Sequence, residues 1–202
     1  MPASKQFNPA EALDRAMEAF WEKGYEATSM CDLLGRMGIQ KGSFYATFSS
    51  KRDVYLSALR RYGANRLAEF RAAIDGLHGL AAIDAMFTGI LADCSSNDPC
   101  KGCMLVNAAQ ELAPLDEEVG AIVREGVEAH EVWLADLLRE GQERGEIKGS
   151  LDIEHASRSV LGMMISMRVL SRAGMSAEWI ASIKRQALAE ITAADSGAPT
   201  HG

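Results

Sequence analysis

Two groups of residues in this 202-residue chain could do chemistry. In the first, Cys94, Cys100 and Cys103 fall within ten residues of one another, the last two as a C-x2-C pair. A structural zinc site needs four ligands at useful spacing. Here His78 or His130 would have to complete three cysteines, so no metal is expected. A dithiol redox enzyme would need a βαβ setting that the sequence does not offer. A thiol sensor fits the pattern better. Cys100 and Cys103 border the start of a helix expected over 103–112 and lie beside Lys101, two features that favour negative charge on sulfur, while Asp93 and Asp98 oppose it. The Ser-Ser-Asn-Asp-Pro stretch before Cys100 leaves room for a disulfide between two of the three. Inert, partly buried thiols are the plain alternative.

The second group is Gln40, Lys41, Ser43, Tyr45 and Thr47, hydrogen-bonding side chains on the outward side of one short helix. Such groups suit base edges and phosphate oxygens. No nucleophile–base–orienter set, no glycine-rich phosphate loop after a strand and no carboxylate pair at useful spacing is present, which argues against an enzyme and against a cofactor.

Residues 28–51 position that outward face. Thr28 or Ser29 can cap a helix whose body is Cys31 to Met37, and Gly38 can take the left-handed turn at its end. Gln40 to Phe48 form a second short helix, and Ser49 or Ser50 caps a third that opens at Lys51. Ile39, Phe44 and Phe48 point inward with Leu33 and Leu34. A glycine-turned helix pair with a polar second helix is a helix-turn-helix candidate for the major groove.

The chain is 48% hydrophobic with only 6% aromatics and lacks β-branched alternation, so the expected fold is all-α. No apolar run is long enough to span a bilayer, and the expectation is a cytoplasmic protein without membrane contact. The net charge of −7 is unevenly spread: residues 1–62 carry nine Lys or Arg against seven Asp or Glu, and the remainder twelve against twenty-one. Within 36–61 six basic residues face one acidic residue, a positive patch inside an acidic protein.

Asn8 caps, and Pro9 opens, a first helix to about Lys23. The helix from Lys51 runs past the first domain, and further helices follow over about 80–93, 103–112, 117–144, 153–172 and from Ser176 to about Thr192. This gives about nine helices: a three-helix DNA-binding domain at 1–50, an effector-binding and dimerisation bundle at 51–195, and a disordered tail at 196–202. The 153–172 helix is apolar around most of its circumference, with small residues that let a second helix come close. A two-fold four-helix interface with its copy is expected, using Ser159, Gly162, Met163, Ser166, Met167, Leu170 and Trp179. A homodimer would give two reading heads for a palindrome.

Over residues 11–62 the chain resembles the TetR/AcrR family of bacterial transcriptional regulators. The resemblance rests on Ala12, Ala19–Phe20, the Gly24–Tyr25–Glu26–Ala27–Thr28 turn, Leu33–Leu34, Gly38–Ile39, Lys41–Gly42–Ser43–Phe44–Tyr45, Phe48 and Lys51. Cys31 and Arg36–Met37 depart from the family pattern. The resemblance implies a homodimer whose third helices enter successive major grooves of double-stranded operator DNA. Carried over by position, Gln40, Lys41, Gly42, Ser43 and Thr47 would lie nearest base edges, and Thr28, Tyr45 and Lys51 would hold phosphates. It also implies a small-molecule effector pocket in the second domain. Candidate lining residues are Met86, Phe87, Ile90, Cys103, Asn107, Gln110, His130, Trp133 and Leu137, which suit an apolar or aromatic ligand. The expected function is a repressor released from a palindromic operator by such an effector or by thiol modification. The alternative is an activator or an effector-independent DNA-binding protein.

Overall fold

Asn8 and Pro9 open the first helix as their chemistry dictates. The Asn8 side chain accepts the Ala10 N–H at 3.0 Å, and α1 runs Pro9–Lys23 to a stop at Gly24, whose φ of 85° excludes most side chains. In this computed structural model residues 7–95 and 100–193 are described, without the side chains of Cys94 and Ser95. Eight more helices follow among those residues: α2 Met30–Met37, α3 Lys41–Thr47, α4 Lys51–Ala73, α5 Gly79–Ser95, α6 Met104–Glu111, α7 Glu117–Glu143, α8 Ile153–Arg172 and α9 Ala177–Ile191. The expected all-α fold is what the chain adopts. Among the described residues the one β element is an isolated antiparallel bridge between Ile147 and Thr192. The tail at 196–202 lies outside the described residues.

Two compact units make up the chain, the first from residues up to Ala68 with Lys101–Val127, the second from Glu69–Cys100 with the residues from Glu128 on. The first unit takes in more than the three-helix domain expected at 1–50. Its core joins Ala16, Phe20, Leu33, Met37, Phe44, Val54, Leu59 and Tyr62 to Met104, Leu105, Ala108 and Ile122. Polar clasps tie α6 to α1. Trp21 Nε1 donates to the Gly102 carbonyl at 3.2 Å, and Lys101 pairs with Glu18 at 2.9 Å and Glu22 at 3.2 Å. At the other end of α6, Glu111 accepts the backbone N–H groups of Tyr25 and Glu26 at 3.2 and 2.9 Å. An apolar core plus directional bonds at both helix ends leaves α6 little freedom within this unit.

The second unit packs α5, α8, α9 and the later turns of α7 around Ile83, Met86, Phe87, Leu134, Leu138, Met164, Met167 and Ile180. Arg168, almost wholly buried, is neutralised by Asp93 at 2.8 Å, and Lys184 by Asp84 at 2.9 Å. Buried charge is tolerated only with such partners. Asp152 caps α8 through the N–H groups of Glu154 and His155, and Ser176 caps α9.

Candidate DNA-binding face

The helix pair is set by its caps. Ser29 and Asp32 cap each other reciprocally at the start of α2: Ser29 Oγ accepts the Asp32 N–H at 3.1 Å, and Asp32 accepts the Ser29 N–H at 3.2 Å. Hydrogen bonds from Ser29, with Lys23 alongside, hold the Asp32 carboxyl down at about 2. Gly38 ends α2 in the left-handed region at φ 70°, turning the chain into α3.

In α3 only Phe44 is buried, and it anchors the helix beside Phe48 at 5.6 Å. Gln40, Lys41, Gly42, Tyr45 and Thr47 are exposed, and Ser43 is half-buried. Gln40 occupies the N-cap yet makes no side-chain cap bond, so its amide is uncommitted. Tyr45 is 52% exposed, with its ring edge-on to Phe44 at 5.1 Å. A Cβ on Gly42 would meet nothing within 4 Å. Neither backbone conformation nor packing within the chain requires a glycine there. Lys51 opens α4 with its ammonium 4.2 Å from the Tyr25 ring centroid.

Thr28, expected to hold a phosphate, has a different role in the structure. It is fully buried, and its hydroxyl donates to the Gly24 carbonyl at 2.6 Å. The hydroxyl satisfies a turn carbonyl inside the unit and is not at the surface. The expected positive patch is also largely compensated. Arg36 pairs with Glu22, Arg61 with Asp14, Arg60 with Glu118 and Arg52 with both Asp116 and Glu118. Of the six basic residues in 36–61, Lys41 and Lys51 alone have no carboxylate partner among the described residues. The charge count along the sequence does not show this pairing, because the carboxylates lie up to 66 residues away.

Cys103 occupies the N-cap position of α6 and is half-buried, and the Tyr62 phenol beside it is pushed up chiefly by burial. Cys100 is likewise half-buried, and Cys31 is exposed on α2. The Cys94 side chain lies outside the described residues. No group of three or more His, Cys, Asp or Glu able to hold a metal occurs among the described residues.

The expected effector-pocket residues divide between the units. In the first, Asn107 donates to the Lys101 carbonyl at 3.1 Å and Gln110 is exposed. In the second, Met86, Phe87, Ile90 and Leu137 are buried in one core cluster with Trp133 packed against it, while His130 stands edge-on to Phe70 at 6.1 Å. Of the residues expected at a dimer interface, Ser159, Gly162 and Trp179 are exposed, and Met163, Ser166 and Leu170 are half-buried. Met167 departs from that expectation: it is fully buried in its own unit and has no surface left for a second copy.

A capped helix pair whose second helix shows an outward polar face is a helix-turn-helix, the arrangement of a DNA-binding transcriptional regulator. The family model for bacterial regulatory proteins of the tetR family matches residues 12–58, and that for the tetracyclin repressor-like C-terminal domain matches residues 79–187. The chain belongs to the tetR family. It is 34% identical over 178 residues to the HTH-type transcriptional regulator YezE of Bacillus subtilis (strain 168), covering 85% of this chain and 90% of that one. It is 29% identical over 181 residues to the HTH-type transcriptional repressor ComR of Escherichia coli (strain K12), covering 89% and 86%. The same fold occurs in a cysteine mutant of the TetR family transcriptional regulator CifR complexed with 26 bp double-strand operator DNA, at TM-score 0.81 and 24% identity, covering 93% and 98%. No helix among the described residues is long and apolar enough to cross a membrane.

Proposed function

We propose that the chain is a homodimeric repressor that reads a palindromic operator with α3. The observation that carries this reading is the α3 surface itself: Gln40, Lys41 and Thr47 stand outward while Phe44 alone holds the helix in the core. Gln40 and Lys41 can reach purine edges, Ser43 and Thr47 add shorter donors and acceptors, and Gly42 lets the helix backbone come close to a base edge. Tyr45 and Lys51 hold phosphates on either side, and the buried Thr28 contributes only through the turn it stabilises. Since Lys41 and Lys51 alone in the 36–61 segment lack a carboxylate partner among the described residues, affinity rests on a few placed contacts and not on a broad field.

A domain at residues 51–195 serves effector binding and dimerisation. Two copies meet through the outer sides of α8 and α9, where Ser159 and Gly162 permit close approach and Met163, Ser166, Leu170 and Trp179 supply area. A Cβ on Gly162 would meet nothing within the chain itself. The name of the relative ComR supports repression, and the operator complex of CifR supports duplex DNA as the partner. Release follows a small apolar or aromatic effector or modification of Cys100 or Cys103. Cys103 stands where α6 begins, next to the Lys101–Gly102 clasp on α1, so a larger sulfur adduct there would strain that clasp. The close packing of Met86, Phe87, Ile90 and Leu137 favours a second reading, an effector-independent regulator or activator.

Selection of genomic fragments with the purified full chain, followed by footprinting, tests the reading. A two-fold symmetric protected site upstream of a gene is expected. Binding that shows no sequence preference would refute it.

A further inference from the structure

Lys51 rests on the face of Tyr25, its Nζ 4.2 Å from the ring centroid. The ring is itself fixed, stacked on Phe20 at 6.1 Å and edge-on to the buried Tyr55 at 4.9 Å. Its backbone is fixed too. Glu111, the last residue of α6, accepts the Tyr25 N–H through Oε2 and the Glu26 N–H through Oε1. The carboxylate lies so close that a Cβ on Gly24 would stand 2.8 Å from Glu111 Oε2. One carboxylate therefore takes both N–H groups that follow Gly24 in the turn.

An ammonium carries three donors and has no acceptor. The quadrupole of a tyrosine face attracts it on one side, and the opposite N–H groups remain for another acceptor. Lys51 has no carboxylate partner among the described residues, unlike its neighbour Arg52, which is spent on Asp116 and Glu118. A lysine on a flexible stem ordinarily surrenders rotamer freedom when it meets a phosphate. Seated on the ring, Lys51 has already surrendered part of it.

We propose that Tyr25 is a positioning residue for DNA-backbone binding: its ring seats the Lys51 ammonium for a phosphate oxygen, and Glu111 fixes the ring's place. This rests on the reading of Lys51 as a phosphate contact. It makes the end of α6 a determinant of DNA affinity within the first unit, through a turn and one aromatic face, without any rearrangement of α3.

The test is a pair of double-mutant cycles with the full chain on the selected operator duplex, followed by fluorescence anisotropy over a salt series. Lys51→Gln should weaken binding and flatten the dependence of log K on log salt by about 0.9 per subunit. Tyr25→Leu should weaken binding about threefold per subunit, and that cost should vanish in the Lys51→Gln background. Tyr25→Phe, which keeps the ring, should restore what Tyr25→Leu loses. Glu111→Ala should follow Tyr25→Leu in both backgrounds, and it decides the matter if Tyr25→Leu does not fold by circular dichroism. A cost that is equal in both backgrounds, or no cost at all, overturns the proposal and leaves Tyr25 a packing residue. If Lys51→Gln changes neither affinity nor salt slope, the phosphate reading itself fails, and the proposal with it.

Discussion

Arg52 and Asp116 meet through two hydrogen bonds, Nε to Oδ2 at 2.7 Å and Nη2 to Oδ1 at 2.9 Å. The bidentate pair joins the start of α4 to the start of α7 within the first unit and removes one cation from the surface that would face a phosphate backbone. Asp116→Asn should release part of that charge. The variant is expected to bind non-sequence-specific duplex more tightly than the natural chain and with a steeper salt dependence. Titrating a random duplex at several salt concentrations checks this, and a slope unchanged by Asp116→Asn combined with Glu118→Gln would show that Arg52 does not reach DNA.

Acid should unfold the chain through identifiable carboxylates. Asp116 is held at about 2, chiefly by its hydrogen bond from Arg52, and Asp32 at about 2, chiefly by Ser29. Both values are depressed from an unfolded value near ~3.9. Their contribution to stability is therefore complete above that value and lost as pH falls through about 2. The thermal midpoint should drop between about pH 4 and 2, and Asp32→Asn combined with Asp116→Asn should make that drop shallower while lowering the midpoint at neutral pH. A slope identical in both chains would assign the acid sensitivity to other groups.

Two glycines should respond oppositely to alanine. Gly24 has φ 85° and the Glu111 carboxylate where a Cβ would go, so Gly24→Ala should cost roughly 1 kcal/mol or more in chemical denaturation. Gly42 is helical and faces open space. Gly42→Ala should raise stability by ~0.5–1 kcal/mol while weakening operator binding, because the added methyl would stand where α3 is proposed to approach a base edge. A Gly42→Ala chain that is both more stable and undiminished in binding would remove Gly42 from the reading surface.

The thiols can be tested apart from the effector. Cys100→Ser and Cys103→Ser should each blunt the loss of operator binding caused by oxidant, with the larger effect at Cys103 because it stands at the N-cap position of α6, next to the Lys101–Gly102 clasp on α1. Gel shifts before and after peroxide check it. Equal sensitivity in the natural chain and both variants would make these thiols inert.

Many of the helix ends were legible from residue types alone. Asn8 with Pro9, Ser29, Gly38 and Ser176 each carry local chemistry that fixes a helix end, and the helices begin and end at these positions or one residue away. The outward face of α3 follows from the same local logic, since Phe44 sets the helix phase. What escaped the sequence is either long in range or ambiguous in phase. Nothing near Arg52 announces Asp116, and nothing near Tyr25 announces Glu111, 86 residues on. Thr28 could as well have pointed outward; only the folded turn shows that its hydroxyl closes back on Gly24. In α8 apolar residues surround the helix, so periodicity could not say that Met167 faces its own core while Met163 and Leu170 stay partly open.

The most direct test of α3 as the operator reader is the affinity of Lys41→Ala for the selected operator, set beside its affinity for a random duplex. Lys41 is exposed and unpaired among the described residues, so the fold and thermal midpoint should not change. Specific affinity should fall roughly tenfold or more, with a smaller loss on random duplex. Undiminished specific binding by a folded Lys41→Ala chain would contradict the assignment of α3 as the reading helix.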